Sequence, residues 1–258
     1  VQALSKRQID LDTAKFYNYQ VGEYNGSPVQ IAPYYDTNYL LVAQHIRFPN
    51  KDFIWLGDMN GVGLFGKHKW KGNQKMITIT EGEIDAMSVS KVQGNKWPVV
   101  SVPSGAKSAK KFIKKELEYL ESFQNVVLMF DNDEAGNAAS IECAQLFSPK
   151  KALISKLPMK DANEMLVSNR GKDIINYIWN AKPYTPEGII AGADTWDLVI
   201  QDDSKECTPY IWEGLNKKTK GIRKGEIVLF TAGSGTGKSQ VCREIAYDLI
   251  TKGKNVGY

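Results

Sequence analysis

The sequence predicts an α/β protein: a β-rich amino-terminal subdomain, a domain on a parallel sheet, a linker, and the start of a phosphate-loop domain. Three observations carry this. Between residues 76 and 157, short β-branched runs alternate with helical spacings, the pattern of parallel strands joined by right-handed crossovers. Before residue 70, aromatic strands are punctuated by turn residues. After residue 225, an apolar run, a glycine-rich loop and an amphipathic stretch follow in the order of a phosphate-binding strand–loop–helix unit.

The chain has 258 residues, 42% of them hydrophobic and 24% charged, an ordinary balance for one or two domains with real cores. A net charge of +4 is mild, so any nucleic-acid binding must use local basic patches. Cys143, Cys207 and Cys242 lie far apart, and His45 and His68 are the two histidines. That excludes a zinc site visible in the sequence and fits a reducing compartment. No apolar run approaches the ~20 residues of a membrane span, and no signal peptide is visible. The chain begins at Val1 and stops at Tyr258 inside what reads as a strand, so it reads as a piece of a longer protein.

Residues 1–75 form the first unit. Residues 7–15 (RQIDLDTAK) read as a short helix, and Asn25-Gly26 marks a hairpin between aromatic strands. A strand at 40–47 pairs with one at 51–56, and 63–70 (GLFGKHKW) is basic and aromatic. The aromatics suit a small core. Arg47, Lys51, Lys67, His68 and Lys69 suit either phosphates or a solvated charged face.

Residues 76–182 form the second unit. Strands at 76–80, 98–102, 125–130 and 152–157 alternate with helices at 84–93, 107–122 and 134–146. The first run delivers Glu81 at its end, the third delivers Asp131 and Asp133, and Asp161 follows the fourth. Carboxylates just past the carboxyl ends of parallel strands converge on one crevice. Bare anions that close repel and raise each other's pKa, whereas a hard divalent cation with oxygen ligands, Mg²⁺ shared with a substrate phosphate, resolves the conflict. Glu83 and Asp85 are explained by a helix N-terminus, where negative charge is favoured. Lys107, Lys110, Lys111, Lys114 and Lys115 form one helical stripe, a solvated face or a track for single-stranded DNA.

A helix at 163–179 ends before Pro183 and Pro186, the expected boundary. The linker, 183–209, carries a helix-like spacing at 189–201, a plain tether or a helix that docks on a neighbouring subunit. In the last unit, 210–258, a strand at 226–231 runs into the loop 232–239, which fits G-x-x-x-x-G-K-[ST] with Ala232 in place of the first glycine. Backbone N–H groups of Gly233, Ser234, Gly235, Thr236 and Gly237 can wrap phosphates, Lys238 reaches the β and γ groups, and the Ser239 hydroxyl sits on Mg²⁺. The carboxylate and base needed for hydrolysis are not visible, so ATP hydrolysis is not expected of this stretch.

TEGEIDA, FDNDEAG and KDANE followed by GSGTGKS, with LSKRQIDLDTAKFYNYQVGEYNGSPVQIAPYY and LFGKHKW upstream, resemble the bifunctional DNA primase–helicases of short-tailed phages of the T-seven type. The mitochondrial helicase Twinkle is a relative of that family, and the likeness spans nearly the whole chain. It implies a Toprim parallel-sheet domain and the truncated start of a RecA-like helicase domain. It implies that Glu81, Asp131, Asp133 and Asp161 hold Mg²⁺ or Mn²⁺ and catalyse RNA primer synthesis from ribonucleotides on single-stranded DNA. His45, Arg47, Lys51, Lys67, Lys107, Lys110 and Lys111 would contact nucleotide or DNA phosphates. The resemblance further implies a hexameric ring in the full-length protein, nucleoside triphosphates as fuel, contact with a replicative DNA polymerase, and work in the cytoplasm of an infected bacterium. Three departures stand out. His45 replaces a basic lysine and is a weaker partner for phosphate at neutral pH. The family's amino-terminal zinc module is not in this stretch, and the helicase part stops after its phosphate loop.

Two other readings compete. A Toprim core also serves nucleases and topoisomerases, but no nucleophilic tyrosine domain is visible. A Twinkle-like domain with lapsed catalysis would bind DNA and assemble, though all four acids are intact here.

Overall fold

A computed structural model of the chain describes residues 1–36, 38–50, 52–186 and 207–257. Its contacts divide it into two units, Val1–Gly188 and Ile189–Tyr258.

The first unit opens with a turn at Ser5–Arg7 and helix α1, Leu11–Phe16, where Asp10 caps the backbone N–H of Thr13. The single helix expected at 7–15 is therefore two pieces. An antiparallel sheet follows in the order β1 (Gln20–Tyr24), β2 (Ser27–Tyr35), β3 (Leu41–Arg47), β4 (Phe53–Gly57). Asn25 and Gly26 both take positive φ, 50° and 78°, the turn expected of that dipeptide. Tyr17, Tyr19, Tyr34 and Phe65 are buried behind this sheet, and the Tyr17 hydroxyl donates to the Val99 carbonyl of the next sheet at 3.0 Å. One apolar core thus runs beneath both sheets.

The second sheet has the order β6 (Val99–Ser101), β5 (Met76–Thr80), β7 (Asn125–Met129), β8 (Ala152–Ile154), β9 (Lys182–Pro183). The first four are parallel and β9 runs antiparallel at the edge, where a proline costs no ladder bond. Ile77, Ile79, Val126, Val127 and Leu128 are fully buried, as continuous β-branched runs covered on both faces should be. Helix α2 (Glu83–Val92) packs with α6 (Ala162–Val167) and α7 (Gly171–Trp179), whereas α3 (Ala106–Lys115) packs with α5 (Glu134–Ala144). The chain leaves β5 one way for β6 and returns past it to β7, so the loops after β5 and β7 part and leave a crevice.

Three expectations are corrected. The helix at 107–122 breaks at Glu116 into α3 and α4 (Leu117–Glu121), and that break carries the Glu116 carboxylate to Lys67. The helix at 163–179 breaks at Asn169, whose φ of 58° ends α6 while the Arg170 N–H bonds back to Met165 and the Asn169 N–H to Leu166. The strand at 226–231 does not form: Ile227 and Leu229 are 98% and 82% exposed. A strand needs a hydrogen-bonding neighbour, and among the described residues nothing pairs with this run. The helix expected at 189–201 lies outside the described residues. Among the described residues no helix is long and apolar enough to cross a membrane.

Candidate active site

Glu81 leaves the end of β5 and binds both of its neighbours. One carboxylate oxygen accepts the Ala106 N–H at 3.1 Å, at the start of α3, and the other accepts the Asp131 N–H at 3.4 Å, at the end of β7. Asp133 caps α5 by accepting the Gly136 N–H at 2.9 Å, and Asp161 caps α6 by accepting the Glu164 N–H at 2.6 Å. Each cap leaves an oxygen of the same carboxylate for other work. Asp85, expected to serve only the α2 N-terminus, accepts the Asn163 N–H at 3.0 Å. Asn163 in turn exchanges hydrogen bonds with Arg7, at 3.1 and 2.9 Å, so the KDANE motif ties the crevice to the amino-terminal turn.

Burial and mutual charge raise two of the acids. Burial first, then Glu81 and Asp161, push Asp131 up to about 7, with Lys160 pulling the other way. Burial first, then Asp161, push Asp85 up to about 8. Glu81 and Asp161 therefore act on both Asp85 and Asp131, Asp131 acts on Asp85, and Asp133 acts on Asp131. Asp85 is the acid that reading the sequence left out. Among the described residues no three carboxylate, imidazole or thiol groups close around a common point, so the acids ring the crevice without forming a finished cage. The donor set is all oxygen, and burial, then the neighbouring acids, raises the protonation of two members. Both facts fit a hard divalent cation.

Facing the acids is the β3–β4 surface. His45 stacks on Trp55 (4.3 Å, 12°) and Phe53 (4.9 Å, 20°), and the Arg47 guanidinium lies 5.4 Å over Phe53. These side chains and Glu81, Asp85 and Asp131 line one cleft of about 490 Å³, outside which Asp133 and Asp161 stand. An adjoining recess of about 560 Å³ shares Arg47 and adds Lys6 and Arg7. Those two cations were missed because only the fold brings 5–7 beside strand β3.

The other expected cations scatter. Lys51 lies outside the described residues. Lys67 pairs with Glu116 at 2.5 Å, away from this cleft, and lies 4.9 Å over the Tyr119 ring. Lys107, Lys110 and Lys111 are exposed on α3, and Lys110 reaches Glu142 at 3.7 Å. In the second unit, Gly235 and Gly237 take φ of 75° and 95°, values that favour glycine. The Thr236 hydroxyl donates to Gly233 at 2.7 Å, and the Lys238 ammonium donates to the Ala232 and Gly233 carbonyls, both at 2.7 Å. Ser239 sits in the first turn of the helix Lys238–Thr251, which follows Ser234 and the rest of the loop in the chain.

Residues 1–57 match the family described as bacteriophage T7 DNA helicase/primase, N-terminal α+β fold, and residues 78–166 match a family described as Toprim-like. The chain is 37% identical over 258 residues to the DNA helicase/primase of Enterobacteria phage T3, covering 98% of this chain and 45% of that protein. It thus spans less than half the length of that relative. Among solved structures, the primase fragment of the bacteriophage T7 primase-helicase is 39% identical with a TM-score of 0.66, covering 69% of this chain and 74% of that one. T7 primase domains bound to an RNA/DNA hybrid and dTTP, in a complex with the lagging-strand DNA polymerase, are 40% identical with a TM-score of 0.68, covering 71% and 93%.

Proposed function

The chain belongs to the T7-type phage DNA helicase/primase family, and from that premise we propose that its acidic crevice joins ribonucleotides into short RNA primers on single-stranded DNA. The observation that carries the reading is the convergence of Glu81, Asp131 and Asp85 on one cleft opposite Arg47 and His45. In the reaction, a ribonucleotide 3′-hydroxyl loses its proton and attacks the α-phosphorus of an incoming triphosphate, and pyrophosphate leaves. Glu81, Asp131, Asp133 and Asp161 would hold Mg²⁺ or Mn²⁺, which would supply the positive charge needed to acidify the hydroxyl and neutralise the triphosphate.

The chain's own residues do the rest. Glu81, fixed by two backbone N–H groups, stays in place without reorganising. Arg47 offers a planar fork to phosphate oxygens, with Lys6 and Arg7 beyond it. The Trp55–His45–Phe53 stack gives the cleft a flat aromatic wall against which a base can lie. In the whole protein, the loop 232–239 would bind the nucleoside triphosphate that drives a hexameric helicase. A replicative DNA polymerase is the expected partner, and the cytoplasm of an infected bacterium the place of action.

A second reading, a DNA-binding and assembly domain without catalysis, draws on one observation: His45, where the family carries lysine, is held by Glu83 at 2.6 Å. Magnesium-dependent dinucleotide synthesis, with a zinc module supplied in trans, separates the two. Synthesis by the intact chain that disappears in Asp131→Ala supports the primase; no synthesis by either favours the binding domain.

A further inference from the structure

At the far end of α3 from Glu81, the chain forms a second recess, of about 330 Å³, with aromatic walls. We propose that this recess holds one unpaired, amino-bearing base of the single-stranded DNA template. The proposal rests on the primase reading and deepens it.

One wall is Tyr35 and Tyr39, with His68 packed against both at 4.3 and 6.1 Å. The other contains Trp70 and Tyr119. Tyr39 has a φ of 62° and is 63% exposed. A bulky residue rarely adopts that backbone, and such outliers gather at functional sites. A turn imposes it: the Asp36 carboxylate accepts the N–H groups of Asn38 and Leu40 at 2.8 and 2.9 Å. An aromatic ring is thus held out in water at the mouth of an aromatic slot, the placement that stacking platforms use.

The polar groups decide what the slot takes. Trp70 donates to Val99 at 3.0 Å, Tyr119 donates to Trp70 at 3.1 Å, and Lys67 donates to one oxygen of Glu116. The other Glu116 oxygen has no partner among the described residues, and a Cβ at Gly63 would lie 2.4 Å from it. Burial pushes His68 down to about 4, so it adds no charge at neutral pH. Two carboxylates, Asp36 and Glu116, therefore face one neutralised ammonium. That balance repels phosphate and favours a neutral ring that donates, such as the exocyclic amino group of adenine, cytosine or guanine; thymine has none.

Helix α3 links this recess to the catalytic acids. It starts at Ala106 on Glu81 and ends at Lys115. At 1.5 Å per residue the two sites are ~15 Å apart along the helix, about four stacked nucleotides at 3.4 Å each. Lys107, Lys111 and Lys114 are exposed along it, where a phosphate backbone would pass. Lys115 turns instead to the Asn60 and Val62 carbonyls, at 2.6 and 2.7 Å, and braces the strip at Gly61 that lines the recess.

The test is fluorescence anisotropy of the whole chain with a labelled cytosine-containing single strand. Tyr39→Asn removes the ring while keeping a residue that tolerates positive φ. It should weaken binding ~5- to 100-fold, while Tyr39→Phe binds as the parent does. A template with 5-iodocytosine placed at successive positions should crosslink to Tyr39 or Tyr119 from one position about four nucleotides from the start site. Unchanged affinity in Tyr39→Asn, or crosslinks confined to the β3–β4 cleft, overturns the proposal. So does displacement of the strand from the recess by free CMP at equal concentration, since the occupant would then be a mononucleotide. Dinucleotide synthesis, measured alongside, keeps the two readings apart. Synthesis with Tyr39-insensitive binding sinks the recess alone, and Tyr39-sensitive binding without synthesis sinks the primase alone.

Discussion

His45 Nδ1 lies 2.6 Å from a Glu83 carboxylate oxygen that also accepts the Tyr34 hydroxyl at 2.8 Å. This contact locks strand β3 to the start of α2 and holds the imidazole flat between Phe53 and Trp55. It engages Nδ1 and leaves Nε2 as the ring atom that can still meet another partner.

His45→Lys should therefore trade packing for charge. We expect a loss of about 1 kcal/mol as the stack is broken, read as a lower midpoint in urea. The Michaelis constant for the incoming ribonucleotide should fall ~3- to 10-fold, with a steeper dependence on salt. An unchanged constant would show that this position does not meet phosphate.

The raised carboxyls make stability depend on pH in a definite direction. Asp131 and Asp85 titrate near 7 and 8 in the folded chain, above their unfolded values. The folded state then binds more protons between ~4 and ~8, so stability is full below that window and falls as pH rises through it. In EDTA the melting temperature should fall steadily from about pH 5 to about pH 8. Magnesium, which binds the ionised form, should restore most of the loss at the upper pH and almost none at the lower one. A flat profile in EDTA would count against the crowded-acid description.

Gly136 allows α5 to start against the backbone of Asp131: a Cβ there would lie 2.1 Å from the Asp131 carbonyl oxygen. Gly136→Ala must move either the helix or the acid. The expected cost is about 3 kcal/mol, and primer synthesis should fall ~100-fold because a misplacement of about 1 Å is enough to do so. Denaturant unfolding together with dinucleotide assays reads both.

Lys67 and Lys111 should separate structure from recognition. Lys67 is bound to Glu116, with side chains 24% and 10% exposed, so Lys67→Met should cost about 2 kcal/mol, less than a fully buried pair. It should leave the salt slope of DNA binding unchanged. Lys111→Ala, on the exposed face of α3, should leave stability unchanged and lower that slope by ~0.7. Equal slopes for all three proteins would make the α3 stripe a solvated face.

The parallel-sheet core was legible because its signals are local. Runs such as MITIT and NVVLM are dominated by apolar and β-branched residues, as strands buried on both faces require, and they appear as strands at Met76–Thr80 and Asn125–Met129. Helix breaks at Glu116 and Asn169 were less visible: the first is favoured by a distant partner, Lys67, and the second by a local cap at Asn169 that the helical spacing on either side obscured. The run at 226–231 has strand chemistry and forms no strand, because pairing belongs to neighbours rather than to the run itself.

From the order of its residues alone, this chain specifies which acids end which strands, the glycine-rich loop at 232–239, the hairpin at Asn25-Gly26 and the family resemblance. The assignment of partners came from the fold. It brought Asp85 into the crevice through Asn163, set Lys6 and Arg7 beside Arg47, and turned Lys67 away to Glu116. Periodicity reports which face of an element is buried, a property of neighbouring residues. Which charges then meet depends on contacts between residues far apart in the chain, such as 7 and 163, and those follow from packing.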